Sequence, residues 1–168
     1  DVDHVAINSD NRANRWRKLR YVLTSGVSPG YVLNRLRNRG ERADIAGNVK
    51  KHLPGEDFRG TTHAVEHHLC HLASAFLVSP HDKAVAVSVD GFGDFSSAAW
   101  GLGEGGKLAV DGRVYFPHSL GVFYEAMTQF IGFPHYGDEY KVMGLAPYGQ
   151  PTKVEQMKEI VRLRNDGS

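Results

Sequence analysis

The stretch KAVAVSVDGFGDFSSAAWGLGEGGKLAV, residues 83–110, decides the fold class. Its first eight residues form a run rich in valine that predicts a strand over Lys83–Asp90. Tight turns are predicted at Gly91–Asp94 and Glu104–Lys107, with further strands at Ser96–Leu102 and Leu108–Val110. Three strands in such close succession favour an antiparallel meander over a purely parallel, wound sheet.

Helices are predicted on both sides of this meander. Val65–Leu77 is rich in Ala and Leu, and Ser119–Ile131 places four apolar side chains on one face: Leu120, Phe123, Met127 and Phe130. Thr152–Arg164 predicts a final helix, whereas Gly137–Gly149 is typical of a loop. The predicted fold class is therefore mixed α/β, a β-meander with flanking helices.

The first third of the chain is less regular. A short buried strand is predicted at His4–Asn8, and two short helices at Tyr31–Arg39 and Glu41–His52. We expect one partial domain over residues 1–168, in which 1–60 is an irregular basic segment and 61–168 is the core.

Charge is unevenly distributed along the chain. The 168 residues include 20 Lys and Arg and 19 Asp and Glu, for a net charge of +1. Residues 1–60 hold 12 of the basic and 7 of the acidic side chains, and the remainder holds 8 and 12. Two basic clusters stand out: Arg12, Arg15, Arg17, Lys18 and Arg20, and then Arg35, Arg37, Arg39 and Arg42. A nucleic-acid or phosphate surface is one interpretation and a solvated helix face is the simpler one, so we expect no nucleic-acid partner.

Composition excludes several classes of protein. With 41% hydrophobic and 23% charged residues, the chain is neither disordered nor collagenous. Its longest apolar runs, such as Ala84–Val89, fall far short of the roughly 20 residues that a membrane span needs, so we expect no membrane partner. A single cysteine, Cys70, excludes an internal disulfide framework and favours a cytoplasmic location.

The densest chemical signal is Glu66-His67-His68-Leu69-Cys70-His71. On a helix, His67 and His71 lie one turn apart on the same face, where two imidazoles can hold one metal ion. His68 and Cys70 point away from that face, and we interpret Cys70 as a small buried residue. Two partly exposed helix histidines without a metal are the competing interpretation.

Two further segments carry candidate residues. Asp90 ends a predicted strand beside Gly91 and Gly93, where backbone N–H groups can approach phosphate and a carboxylate can bind a metal; an ordinary β-turn is the alternative. In GDEYKVMGLAPYG, residues 137–149, Lys141 could neutralise a phosphate and Gly144 could let a nucleotide approach, with Asp138 beside them. Alternatively, Asp138 or Glu139 pairs with Lys141 and holds the loop in shape.

Taken in order, HHLCHLASAF, SVDGFGD, SLGVFYEAMTQFIGF and GDEYKVMGLAPYG resemble the NodU-type O-carbamoyltransferase family of nodulation and antibiotic-tailoring enzymes. The resemblance runs from about Asp1 to Gly149. It implies a lobe of the actin-like, sugar-kinase and heat-shock ATPase fold, related to the proteins that transfer threonylcarbamoyl groups to tRNA. The segment around Asp90 is similar to the first phosphate loop of that superfamily.

The resemblance also implies an activity. Members of the family make carbamoyl-adenylate from carbamoyl phosphate and ATP in a separate YrdC-like domain, and the actin-like domain transfers the carbamoyl group to a hydroxyl of a small-molecule acceptor. The implied cofactors are ATP or carbamoyl-adenylate and a divalent metal, iron first and zinc as the alternative. The implied ligands are His67, His71 and Asp90, with a further aspartate much later in the family's sequence.

Three functions remain open from the sequence. An O-carbamoyltransferase leads, a tRNA threonylcarbamoyl-transfer protein is the alternative, and a nucleotide- or metal-binding module without catalysis is the third. The family's opening strand, its fourth ligand and its YrdC-like domain do not match any part of this sequence, so we expect a fragment of a longer protein that is inactive by itself.

Overall fold

The computed structural model describes residues 2–26, 28, 30, 44–53, 55 and 58–164. Two sheets organise these residues. A parallel pair joins β1 (His4–Ile7) to β2 (Thr61–Ala64), and an antiparallel meander joins β3 (Lys83–Gly93), β4 (Ser96–Glu104) and β5 (Lys107–Tyr115). The mixed α/β class and the antiparallel meander are confirmed.

The strands of the meander are longer than the sequence indicated. β3 continues through Asp90 to Gly93, where a register shift separates the pair Val89–Ala98 from the pair Gly93–Ser96. The predicted four-residue turn at Gly91–Asp94 is therefore wrong, because the chain reverses over Asp94 and Phe95 alone. Gly105 and Gly106 form the second turn, as predicted, and both have positive φ values that glycine adopts without strain.

One face of the meander carries the core. Helix α3 (His67–Phe76) lies against it and buries Leu72 and Phe76 on Ala86 and Ala99. Gly103 is needed here, because a Cβ at this position would lie 2.5 Å from the Phe76 ring. The opposite face of β3 is open to solvent: Val85, Val87 and Val89 are 69%, 61% and 57% exposed.

The parallel pair leads the chain into α3. Thr61 N–H donates to Asp3 O and Val65 N–H donates to Ile7 O, so β2 is aligned along β1 directly before the helix begins. The prediction of a buried strand at His4–Asn8 was wrong in one respect: the strand exists, but its residues alternate between exposed and half-buried. β2 was not predicted.

Among the described residues, five more helices lie around these sheets: α1 (Arg15–Thr24), α2 (Ile45–His52), α4 (Leu120–Phe130), α5 (Glu139–Leu145) and α6 (Val154–Ile160). α4 starts where Ser119 Oγ accepts from Val122 N–H, a standard N-cap. The predicted apolar face of α4 is only partly used, because Leu120 and Phe130 are exposed. The predicted final helix, Thr152–Arg164, is shortened to α6.

The segment Gly137–Gly149 is not a loop, which corrects the sequence-based prediction. It contains α5 followed by a 3-10 turn over Ala146–Tyr148. The first basic cluster lies mainly on α1, where Arg15, Arg17 and Arg20 are exposed. The second cluster and the helix predicted at Tyr31–Arg39 lie outside the described residues. Within the described part of the chain, no helix is long and apolar enough to cross a membrane.

Candidate metal centre

Helix α3 begins at a cap that fixes the direction of its first turn. The Glu66 carboxylate accepts from Leu69 N–H at 2.8 Å and from His68 N–H at 3.3 Å, so it satisfies N–H groups that have no partner inside the helix. Arg113 of β5 donates to the same carboxylate at 3.1 Å. This tie between helix and sheet determines which side of α3 faces the end of β3.

Three side chains meet at that end. His67 Nε2 lies 2.9 Å from Asp90 Oδ2, His71 Nε2 lies 3.2 Å from the same oxygen, and the two Nε2 atoms are 3.0 Å apart. The i,i+4 spacing on α3 brings the imidazoles together, and the length of β3 places Asp90 beneath them. The structure therefore brings together all three residues that the sequence singled out as metal ligands.

This donor set fits a divalent transition metal. Two donors bound at the usual 2.0–2.1 Å, with ligand–metal–ligand angles near those of tetrahedral or octahedral sites, are separated by about 2.9–3.4 Å. The three observed separations fall in that range. Two histidines and one carboxylate on one side of an ion also leave positions open for a substrate, as in sites that bind iron(II) or catalytic zinc.

Asp90 is prepared to act as a ligand. Gly91 N–H donates to Asp90 Oδ1 at 2.6 Å, while Oδ2 faces the histidines. The pKa of Asp90 is lowered, chiefly by the hydrogen bond with His67; burial opposes the shift, and the Gly91 N–H and His71 add to it. A lowered pKa keeps this carboxylate ionised, which is the form that binds a cation.

Gly93 leaves room for the imidazole of His67. A Cβ on Gly93 would lie 2.0 Å from Cγ and Cδ2 of the His67 ring, whereas a Cβ on Gly91 would meet no atom within 4 Å. The space that Gly93 leaves is thus already filled by His67. Both glycines lie in β3 and not in a turn, and phosphate binding by Gly91 and Gly93 stays a prediction.

His68 belongs to the core. It is fully buried against the sheet, with Nδ1 2.8 Å from Ser88 Oγ, and burial lowers its pKa. The neighbouring Cys70 is half-buried, with Sγ 3.9 Å from Val65 O. Burial and the charges of Glu66 and Asp94 raise the pKa of the Cys70 thiol, which disfavours the reactive thiolate.

The candidate nucleotide residues form a separate local structure. Lys141 Nζ lies 2.6 Å from Asp138 Oδ1, and the other carboxylate oxygen of Asp138 accepts from His135 N–H at 3.1 Å. This pairing lowers the pKa of Asp138 and raises that of Lys141, mainly through their mutual hydrogen bond. Gly144 lies within α5 with open space where a Cβ would be. The geometry favours the alternative in which Lys141 holds this segment in shape.

Two residues next to the site were not identified from the sequence. Asn8 O lies 3.2 Å from His67 Nδ1, and Asp94 Oδ2 accepts from His67 N–H at 3.0 Å. Asp94 belongs to the motif DGFGD, so that motif could have drawn attention to its carboxylate as a neighbour of the site. A backbone carbonyl such as that of Asn8 gives no signal in a sequence.

The motifs point to one class of protein, the carbamoyltransferases. Residues 30–168 match the family described as Carbamoyltransferase N-terminus, and the chain belongs to this family. The resemblance read from the motifs is confirmed at this level.

Several curated proteins are similar over about half of the chain. An uncharacterized protein of Synechocystis, sll1178, is 42% identical over 104 residues, or 61% of this chain and 17% of that protein. Nodulation protein NolO of Bradyrhizobium diazoefficiens is 40% identical over 95 residues, covering 55% of this chain and 17% of NolO. Nodulation protein NolNO of Sinorhizobium fredii is 43% identical over 88 residues, covering 52% of this chain and 13% of NolNO. The chain thus spans less than a fifth of each of these relatives.

Proposed function

We propose that this chain is the metal-binding part of an O-carbamoyltransferase, in which His67, His71 and Asp90 hold a divalent metal, iron first and zinc as the alternative. The observation that carries the proposal is the meeting of three donor atoms at 2.9–3.2 Å in a member of the carbamoyltransferase family. A metal bound there would supply Lewis-acid polarisation of a carbonyl or phosphoryl oxygen.

The residues of this chain have defined parts in the proposal. His67 and His71 offer their Nε2 atoms from one face of α3, and Asp90 offers a carboxylate kept ionised by its surroundings. Gly93 leaves room for the His67 ring, and Glu66 fixes the helix that carries both imidazoles. Together they would hold three donor atoms around one divalent metal.

The proposed reaction starts from carbamoyl-adenylate, made from carbamoyl phosphate and ATP with release of phosphate and pyrophosphate. The carbamoyl group then moves to a hydroxyl of a small-molecule acceptor, which loses its proton while AMP leaves. We place the chain in a lobe of the actin-like ATPase fold, which the meander β3–β5 with α3 on one face supports. A cytoplasmic location and the absence of a nucleic-acid partner remain predictions within this proposal.

Metal content tests the site. In the protein that carries this chain, we expect about one metal per polypeptide by elemental analysis, and we expect His67→Ala, His71→Ala and Asp90→Asn each to lower that content severely. His81→Ala and Asp82→Asn are matched controls, because both residues are exposed and lie in the loop before β3. Full metal content in His67→Ala and His71→Ala would contradict the site.

Transfer tests the reaction. With ATP, carbamoyl phosphate and a panel of hydroxyl acceptors, we expect an acceptor to gain the mass of one carbamoyl group, and this gain to be lost with the metal ligands. Transfer to the threonylcarbamoyl position of tRNA would instead support the alternative of a tRNA-modifying protein. Metal and ATP binding without transfer to any acceptor would support a binding module.

A further inference from the structure

The carboxylate of Asp94 lies beside the site, outside the group of three donor side chains, and accepts hydrogen bonds from two segments that are distant in sequence. Asp94 Oδ1 accepts from Ser9 Oγ at 2.9 Å, and Asp94 Oδ2 accepts from Asp10 N–H at 2.7 Å and from His67 N–H at 3.0 Å. Both carboxylate oxygens are thus committed to donors, and three segments meet on them: the loop after β1, the start of α3 and the turn between β3 and β4.

The loop after β1 matters because it holds the partner of the His67 ring. His67 Nδ1 lies 3.2 Å from Asn8 O, and since a carbonyl only accepts, Nδ1 must donate. A ring that donates through Nδ1 has its Nε2 available for a metal, and such a hydrogen bond commonly fixes the orientation of metal-binding histidines. Asp94 binds both partners of this hydrogen bond. It accepts from Ser9 Oγ and Asp10 N–H in the loop that carries Asn8, and from the backbone N–H of His67.

The turn that carries Asp94 is itself held in a fixed shape. Asp94 and Phe95 have φ values of 48° and 77°, and a bulky residue such as Phe rarely adopts the second. Asn14 Nδ2 donates to Asp94 O at 2.9 Å, and Phe95 packs against the rings of Tyr21 and Phe116. These contacts keep the carboxylate aimed at its three donors.

We propose that Asp94 is a positioning residue for His67: it fixes the Asn8 carbonyl and the His67 backbone relative to each other, and so directs His67 Nε2 to the metal. The inference rests on the proposed metal site. It adds a residue outside the ligand set whose loss weakens metal binding in a folded protein.

Two substitutions at one position separate the carboxylate from the turn. Asp94→Gly removes the acceptor and tolerates the positive φ, whereas Asp94→Asn tolerates the same φ and keeps an oxygen for the two N–H donors. The amide group of Asn faces Ser9 Oγ, which can accept instead of donate. Asp82→Gly, which removes an exposed carboxylate elsewhere, is the control for a generic loss of charge.

Binding of Co²⁺ is measured by titration well below the melting temperature of each variant. We expect Asp94→Gly to weaken Co²⁺ binding about 10- to 100-fold, the usual cost of losing a residue that supports a metal ligand. We expect the Co²⁺ affinities of Asp94→Asn and Asp82→Gly to stay within about threefold of wild type. This is a smaller change than the loss of one charge-assisted hydrogen bond would cause. A residue with only a structural role would change the melting temperature and leave the affinity of the folded protein unchanged.

A second measurement uses the metal-free protein. By NMR, the Nδ1 proton of His67 should give a resonance protected from water in wild type and Asp94→Asn, and the resonance should disappear in Asp94→Gly. If wild type and His67→Ala bind Co²⁺ equally well, the proposed metal site fails, and this resonance alone decides the role of Asp94. If His67→Ala abolishes binding but Asp94→Gly keeps both the affinity and the resonance, the metal site stands and the role of Asp94 is wrong.

If Asp94→Gly does not fold, Ser9→Ala tests the proposed role of Asp94 instead. It removes one of the three donors from an exposed position, and we expect a three- to tenfold weaker Co²⁺ affinity, about one hydrogen bond. An unchanged affinity in Ser9→Ala would then overturn the proposal.

Discussion

Replacing Gly93 with alanine should displace His67 from the proposed metal site. The new Cβ would lie 2.0 Å from two atoms of the His67 ring and 2.6 Å from its Cβ. Ordinary contact needs about 3.4 Å or more, so ring and strand must separate by roughly 1.4 Å. Metal ligands tolerate displacements of about 0.2 Å, so the ring would leave its binding position.

Two magnitudes follow from this displacement. Overpacking a filled site costs about 1–3 kcal/mol of folding free energy, and a misplaced ligand should weaken metal binding by at least 10- to 100-fold. Gly91→Ala is the matched control two residues away in the same strand, where a Cβ meets open space. Its free energy of unfolding should stay within about 0.5 kcal/mol of wild type.

Thermal melting of the metal-free protein and Co²⁺ titration measure the two effects separately. We expect Gly93→Ala to melt earlier and bind Co²⁺ poorly, and Gly91→Ala to behave as wild type in both assays. Equal behaviour of the two variants, or wild-type affinity in Gly93→Ala, would refute the reasoning that Gly93 exists to accommodate His67.

Three further predictions concern neighbouring residues. Lys141→Ala should lower the melting temperature and leave ATP affinity unchanged, because Lys141 pairs with Asp138; a large loss of ATP affinity, absent from the exposed control Lys107→Ala, would restore the phosphate role. Cys70 should react slowly with thiol reagents at neutral pH, since burial raises its pKa, and Cys70→Ala should keep its metal content; rapid labelling of the native protein would contradict this. Burial alone would raise the pKa of Glu66, but hydrogen bonds from Leu69 N–H and Arg113 outweigh it, so the pKa is lowered and the ionised carboxylate stabilises the fold above about pH 4.3, an effect that is lost as the pH falls through the lower pKa of the folded state. Glu66→Gln should cost about 1–3 kcal/mol of folding free energy at neutral pH and make stability depend less on pH in this acidic range; an unchanged pH dependence of stability would argue against it.

Local patterns predicted the parts of the site that depend on local geometry. The spacing of His67 and His71 places both rings on one helix face whatever the helix packs against, so the pair was predictable. The strand before Asp90 was equally clear from its valines. The distance between α3 and β3 is a property of the tertiary fold, which local patterns do not give. Only the family resemblance implied that the histidines and Asp90 form one cluster.

Other features depend on contacts between residues far apart in sequence. The four residues of β2 are exposed, and they form a strand only because they pair with β1, whose residues lie 57 positions earlier in the sequence. The proposed role of Asp94 depends on Ser9 and Asp10, more than 80 positions away. The three glycines and the proline of Gly137–Gly149 indicated a loop, yet α5 forms there, because tertiary context outweighs the weak propensities of so short a segment.

The open row of valines on β3 has a consequence for how the chain behaves at high concentration. Among the described residues, β3 pairs with a neighbour on only one side, so its other edge presents unpaired backbone groups beside Val85, Val87 and Val89. A long edge strand with an apolar face is a template for pairing with another chain and for aggregation. Concentrated samples are therefore expected to self-associate through this strand, and Val87→Lys is the smallest change expected to keep them dispersed.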